Sequence, residues 1–180
     1  VGPWCTALTA LPSLERVTLG FREPQTEDQH LLLNHEPVKE LLRTPAVRIV
    51  RFSDFHFTNA LCHAMASELE EGSSIVEIYF ESDCSFSVGG RAIIANALKR
   101  NASVTNATFV GHCDEPLCDN LAVVLLSNTT LQNLTMHNAT RDSGRWFSSI
   151  FLSLGMNTAL KSLSVRMCDK FGDELCAAIN

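Results

Sequence analysis

Six segments of the chain share the spacing apolar-x-x-apolar-x-apolar: Leu14/Val17/Leu19, Val47/Val50/Phe52, Ile75/Ile78/Phe80, Val104/Ala107/Phe109, Leu131/Leu134/Met136 and Leu160/Leu163/Val165. Successive segments begin 33, 28, 29, 27 and 29 residues apart, a period that marks stacked repeat units. The alternation inside each segment predicts a short strand with one buried face. Between segments the apolar period lengthens to about four, as in Leu61/Met65/Leu69, Leu117/Leu121/Leu125 and Phe147/Phe151/Leu154, with Ile93/Ala97 and Leu175/Ile179 continuing it. That stripe is one face of an amphipathic helix. Each unit is therefore a strand followed by a helix. The spacing predicts strands near 16–20, 49–53, 77–81, 106–110, 133–137 and 162–166, and helices over about 58–70, 88–100, 116–127, 145–155 and 172–179.

Local signals mark the boundaries. Thr58 is placed to cap a helix, Pro116 follows Asp114 and Glu115 in a first turn, and Asp173 and Glu174 open the last helix. Gly72 and Gly155 stand where a left-handed residue ends a helix. A ladder joins helix to strand: Asn101, Asn128 and Asn157 each precede the first apolar residue of a strand segment by three positions. A side-chain amide there can bond backbone groups of its own coil and the next, away from water. Cys84 and Cys113 lie four residues after Phe80 and Phe109, and Cys168 three after Val165, and they suit the corner of each coil.

These features resemble the ribonuclease-inhibitor-like class of leucine-rich repeats, whose units carry L-x-x-N-x-x-L-x-x-L-x-L, then Cys or Asn, then a helix. The runs LLSNTTLQNLTM (125–136) and LGMNTALKSLSV (154–165) match closely, and SVGGRAI (87–93) and FGDELCA (171–177) resemble the loop that leads into the helix. The likeness extends from about Leu8 to Asn180. The first unit departs from it: an insertion over Arg22 to His30 precedes a short helix near Pro37 to Leu42. Gly72 and Leu11 replace the ladder asparagine in two units, whose turns should be less regular.

Neither strand nor helix can bury its apolar face alone, so stacking must supply the core. The expected fold class is α/β: a leucine-rich-repeat solenoid, a partial horseshoe with an inner parallel β-sheet and outer α-helices. About six repeats of 27–29 residues follow one another, the first unit being longer. Residues 1–180 then form a single repeat domain, irregular over 1–46 and regular over 47–180, and we expect it to be a segment of a longer chain. Neither end reads as a polar cap, which would permit self-association through the solenoid ends.

Residues between the buried strand positions face the concave side in three rows. They are Arg16, Ile49, Glu77, Asn106, Asn133, Ser162; then Thr18, Arg51, Tyr79, Thr108, Thr135, Ser164; then Gly20, Ser53, Glu81, Val110, His137, Arg166. The face runs from basic (Arg16, Arg48, Arg51) through acidic (Glu77, Glu81) to neutral, and ends basic (Lys161, Arg166). Charge zoning of this kind orients a protein partner. The candidate binding set is Arg48, Arg51, Glu77, Tyr79, Glu81, His137, Lys161 and Arg166. Tyr79 beside Arg51 is its anchor, because Tyr and Arg are enriched at interface hot spots.

Composition narrows the function classes. The chain has 180 residues, 46% hydrophobic and 19% charged, with net charge −6, a globular profile. The acidic balance argues against a nucleic-acid surface, and the longest apolar run, Leu121–Leu126, is too short for membrane insertion. Seven cysteines without a tight C-x-x-C pair signal neither a disulfide framework nor a zinc ribbon, which favours an intracellular, cytoplasmic or nuclear setting. Five Asn-x-Ser/Thr sequons, at Asn101, Asn106, Asn128, Asn133 and Asn138, point instead to secretion, although four of them fall at two repeated positions.

Candidate chemistry is sparse. His112, Cys113, Cys118 and His137 match no compact zinc spacing. Gly89-Gly90-Arg91 lacks the phosphate-loop pattern, Glu70-Glu71 suits a solvated helix end, and His35, His56 and His63 have no partner pattern. No catalytic residue, metal or cofactor is assigned. The expected function is non-catalytic binding of a protein partner through the concave sheet. Alternatives are a regulator of a small GTPase, resembling the leucine-rich-repeat activators and motivated by Arg48 and Arg51, and a secreted glycosylated recognition domain.

Overall fold

A computed structural model describes residues 13–20, 35–82, 84–113, 115–139 and 144–167. Six strands form one parallel sheet in sequence order: β1 (Arg16–Gly20), β2 (Ile49–Ser53), β4 (Glu77–Phe80), β6 (Asn106–Cys113), β7 (Asn133–Ala139) and β8 (Ser162–Met167). The short strands β3 (His56–Phe57) and β5 (Ser85–Phe86) lie outside it. Five helices alternate with the strands among the described residues: α1 (Glu36–Arg43), α2 (Asn59–Glu70), α3 (Gly90–Arg100), α4 (Glu115–Ser127) and α5 (Gly144–Leu154). The expected helix over 172–179 and Cys168 lie outside the described residues. This is a leucine-rich-repeat solenoid, with an inner sheet and outer helices.

The register follows the repeat. Val17, Val50, Ile78, Ala107, Leu134 and Leu163 stand side by side, as do Leu19, Phe52, Phe80, Phe109, Met136 and Val165. The second row contains an aromatic stack. Phe52 lies on Phe80 at 5.6 Å between ring centres and Phe80 on Phe109 at 5.3 Å, both nearly parallel. Helix residues Leu61, Met65, Leu69, Leu98, Leu121 and Leu125 close over these rows and are almost wholly buried. Apolar burial at about 25 cal/mol per Å² is the main stabilising term.

Four features differ from expectation. The strands β3 and β5 pair as a second, two-stranded parallel sheet, with Phe57 stacked on Phe86 at 4.5 Å. Two-residue strands carry too little periodicity to be read from sequence. β6 and β7 run past the expected ends through a register shift, where Gly111 takes φ +115°; Cys113 thus belongs to the extended strand, paired with Ala139, rather than following it. Gly72 ends α2 with φ +101° as expected, but Gly155 has no positive φ; Asn157 N–H instead bonds the Ser153 and Leu154 carbonyls and closes that turn. At the ladder place before Val47 stands buried Thr44, whose hydroxyl donates to the Glu40 carbonyl.

Candidate interaction face

The turns that hold the strands in line rest on three asparagines. Asn101 Nδ2 donates to the Leu69 carbonyl of the preceding unit at 2.6 Å, while its Oδ1 accepts from Ser103 N and Val104 N. Asn128 repeats this with the Leu98 and Asn101 carbonyls and the Thr130 and Leu131 amides, and Asn157 with the Leu125 carbonyl and the Ala159 and Leu160 amides. Asn101 and Asn128 are 4% and 6% exposed, so their sequons sit where no glycan fits. Cys84 is buried and its Sγ donates to the Phe52 carbonyl at 3.1 Å.

On the sheet face, cross-strand pairing brings Arg51, Glu77, Tyr79 and Glu81 together. The Arg51 guanidinium lies 3.8 Å from the centre of the Tyr79 ring and reaches Glu81 Oε1 at 3.3 Å. Tyr79 Oη donates to Glu77 Oε2 at 2.7 Å. Asn106 Nδ2 donates to Glu77 Oε1 at 3.1 Å, and Asn133 Nδ2 to Asn106 Oδ1 at 2.8 Å. A continuous polar chain, Glu81–Arg51–Tyr79–Glu77–Asn106–Asn133, therefore crosses β2, β4, β6 and β7. Partial burial raises the Tyr79 phenol above its ordinary pKa, and the adjacent Glu77 carboxylate adds to the rise.

This pairing changes the charge zoning expected from sequence. Arg51 is not part of a separate basic block, because its neighbours in the register are the acidic and aromatic residues of β4. Asn106 and Asn133, read from sequence as neutral row members and sequons, are structural parts of the network; their shared row with Glu77 was the signal.

The remaining candidates lie apart. His137 and Arg166 face each other across β7 and β8, two and three strands from Tyr79, or roughly 10–14 Å at ordinary strand spacing. Arg48 and Lys161 precede their strands, in an edge row linked by backbone bonds through Glu15, Val76, Thr105 and Gln132. Sequence reading missed a second cluster on the helical side. There Glu68, 4% exposed, accepts from Arg43 Nε at 2.6 Å and has Lys39 Nζ at 3.9 Å. The bond to Glu68 raises the Arg43 pKa further above its ordinary value.

Among the described residues no three His, Cys, Asp or Glu side chains converge as metal ligands, and no helix is long and apolar enough to cross a membrane.

Strand-and-helix coils, an asparagine ladder and a polar sheet face together define a solenoid of the leucine-rich-repeat type. Among solved structures the chain is similar to the leiomodin-1 actin-binding site 2, with a TM-score of 0.65 and 18% identity over 85% of this chain and 86% of that one. No protein-family model matches the chain, and no curated protein matches it.

Proposed function

We propose that the chain is a non-catalytic interaction module that binds a protein partner through the concave sheet face. The observation that carries this reading is the polar chain from Glu81 to Asn133, which crosses four adjacent strands and holds Arg51 and Tyr79 in fixed positions. Preorganised side chains on a rigid sheet lose little entropy on binding, and Tyr and Arg are the residue types that anchor interfaces. Repeats of 27–29 residues with full helices support membership of the ribonuclease-inhibitor-like class. On this reading residues 1–180 are one repeat domain, with 1–46 irregular and 47–180 regular. A free, buried thiol at Cys62 and buried sequons at Asn101 and Asn128 support an intracellular setting over a glycosylated secreted one. The GTPase-regulator alternative is weakened, because Arg51 is engaged by Glu81 and Tyr79.

Actin is the first partner to test, since the similar structure is an actin-binding site. Co-sedimentation with actin filaments should retain the wild-type chain and lose an Arg51→Glu/Tyr79→Ala double variant by at least about tenfold in affinity, with circular dichroism unchanged. A wild-type chain left in the supernatant removes actin as the partner. Equal sedimentation of both proteins moves the interface off this face.

A further inference from the structure

Cations on the two sides of the solenoid are held differently. On the helical side Lys39 and Arg43 stand at Glu68, Arg100 Nη1 lies 3.3 Å from Glu70 Oε2, and the Arg91 guanidinium lies 4.7 Å from the centre of the Phe86 ring. Lys99 is exposed and unpaired there. On the sheet side Arg51 is held by Glu81 and Tyr79. Arg16, Arg48, Lys161 and Arg166, by contrast, are exposed and make no ion pair among the described residues.

The carboxylates of the sheet side do not balance these four. Glu81 is taken up by Arg51, and Glu77 accepts from Tyr79 and Asn106; Glu15 stands next to Arg48 in the edge row. The three rows and the edge row thus carry five cations against three carboxylates, in a chain whose net charge is −6. The imbalance is greatest over β6, β7 and β8, whose rows contain no carboxylate. Apart from Val110, His137 and Arg166, their positions are amides and hydroxyls: Asn106, Thr108, Asn133, Thr135, Ser162 and Ser164. Such groups can donate to carboxylates and to an incoming backbone, and charges of one sign gathered on a concave surface draw the opposite sign.

We propose, on the concave-face reading above, that the partner presents a carboxylate-rich protein segment laid across the strands. Its carboxylates meet Arg16 and Arg48 at one end and Lys161 and Arg166 at the other, and its backbone passes over the amides and hydroxyls of β6–β8. Arg48 precedes β2, and Lys161 and Arg166 belong to the β8 unit, four strand spacings away. At about 4.8 Å per spacing the two ends lie roughly 19 Å apart, and an extended segment rising about 3.3 Å per residue crosses that distance in about six residues. A basic segment would meet no unengaged carboxylate over β6–β8. A nucleic-acid strand would find only these few cations on a chain of opposite net charge.

The test is an amide chemical-shift titration of the 180-residue chain in about 0.15 M salt, where distant charges are screened. The probe is a ten-residue serine–glycine peptide with two Asp-Glu pairs about six residues apart; its Asn-Gln counterpart and a ten-nucleotide oligouridine are the comparison ligands. The acidic peptide should give saturable shifts across β6, β7 and β8, the Asn-Gln peptide none, and the oligouridine should bind at least about fivefold more weakly. Lys161→Glu/Arg166→Glu should weaken the acidic peptide at least about fivefold, as expected for two exposed ion pairs reversed in sign. Lys99→Glu/Arg100→Glu makes the same change of charge on α3 and should leave binding within about twofold. Equal losses in the two double variants, tighter binding of the oligouridine, or no saturable shift below about 5 mM peptide overturn the proposal. Equal sheet shifts from the Asn-Gln peptide reject the acidic chemistry and keep the concave face, whereas acidic-peptide shifts confined to the helices reject the face itself.

Discussion

Replacing Asn128 with alanine removes four hydrogen bonds at once. Nδ2 donates to the Leu98 and Asn101 carbonyls at 2.7 and 2.9 Å, and Oδ1 accepts from the Thr130 and Leu131 amides at 2.8 and 2.7 Å. Three of these bonds are buried, and Thr130 is half-buried. A buried backbone group deprived of its partner costs about 1–3 kcal/mol. The Thr130 amide can rehydrate, and a water entering the vacated space recovers part of the remainder. The net loss should be about 3–5 kcal/mol, a large fraction of the roughly 5–15 kcal/mol that holds a domain together. Urea unfolding followed by far-ultraviolet circular dichroism reads it as a midpoint about 1.5–2.5 M lower, for a slope near 2 kcal/mol/M. Asn157 is only partly buried and makes three such bonds, so Asn157→Ala should cost less, about 1–2 kcal/mol. A loss below about 1 kcal/mol for Asn128→Ala, or a larger one for Asn157→Ala, would refute the ladder as a principal support.

Three further outcomes are expected. A Cβ at Gly90 would stand 2.9 Å from Cys62 Sγ and 3.4 Å from the Phe86 ring, so Gly90→Ala should destabilise by about 1–3 kcal/mol; in a double-mutant cycle Cys62→Ala should relieve part of that loss, and additive losses would place the clash elsewhere. The chain has one tyrosine, so near-ultraviolet absorbance titrates Tyr79 alone: its midpoint should lie above 10 in the folded protein and fall in Glu77→Gln. Because the folded pKa is the higher one, this group's stabilising contribution is complete below the unfolded value and is lost as pH rises through the folded value; a midpoint at or below 10 contradicts the burial of the ring. Burial pushes the Cys62 thiol up to about 12, so peptide mapping should find it unalkylated in the folded chain at about pH 8 and labelled in urea. Rapid native labelling would mean that the α2–α3 seam opens.

Much of the scaffold was legible because repetition multiplies a weak signal. One apolar-x-x-apolar-x-apolar segment is ambiguous, whereas six at nearly constant spacing specify strands that must align in register, and the rows containing Arg51 with Tyr79, and Glu77 with Asn106, followed from counting alone. The helix starts were legible where a short-range chemical rule applies: Thr58 accepts from Leu61 N, a contact three residues long. Gly155 departs from its expected role because a glycine past a helix permits a left-handed turn without requiring one.

Sequence by itself determined the repeat, the layers, the buried rows and the polar rows, since all depend on the period of side chains along a strand or helix. Tertiary structure alone decided which polar neighbours bond. Charge order along the chain suggested separate basic and acidic zones, but Arg51 and Glu81, thirty residues apart, meet across two strands and neutralise each other. The same is true of Glu68: Glu70 and Glu71 after it suit a solvated helix end, whereas Glu68 itself is buried where α1 packs beside α2 and bonds Arg43, twenty-five residues away. Period fixes the face a side chain occupies; its distance and angle to a side chain from another coil depend on how the coils stack, and hydrogen bonds and ion pairs are sensitive to fractions of an ångström.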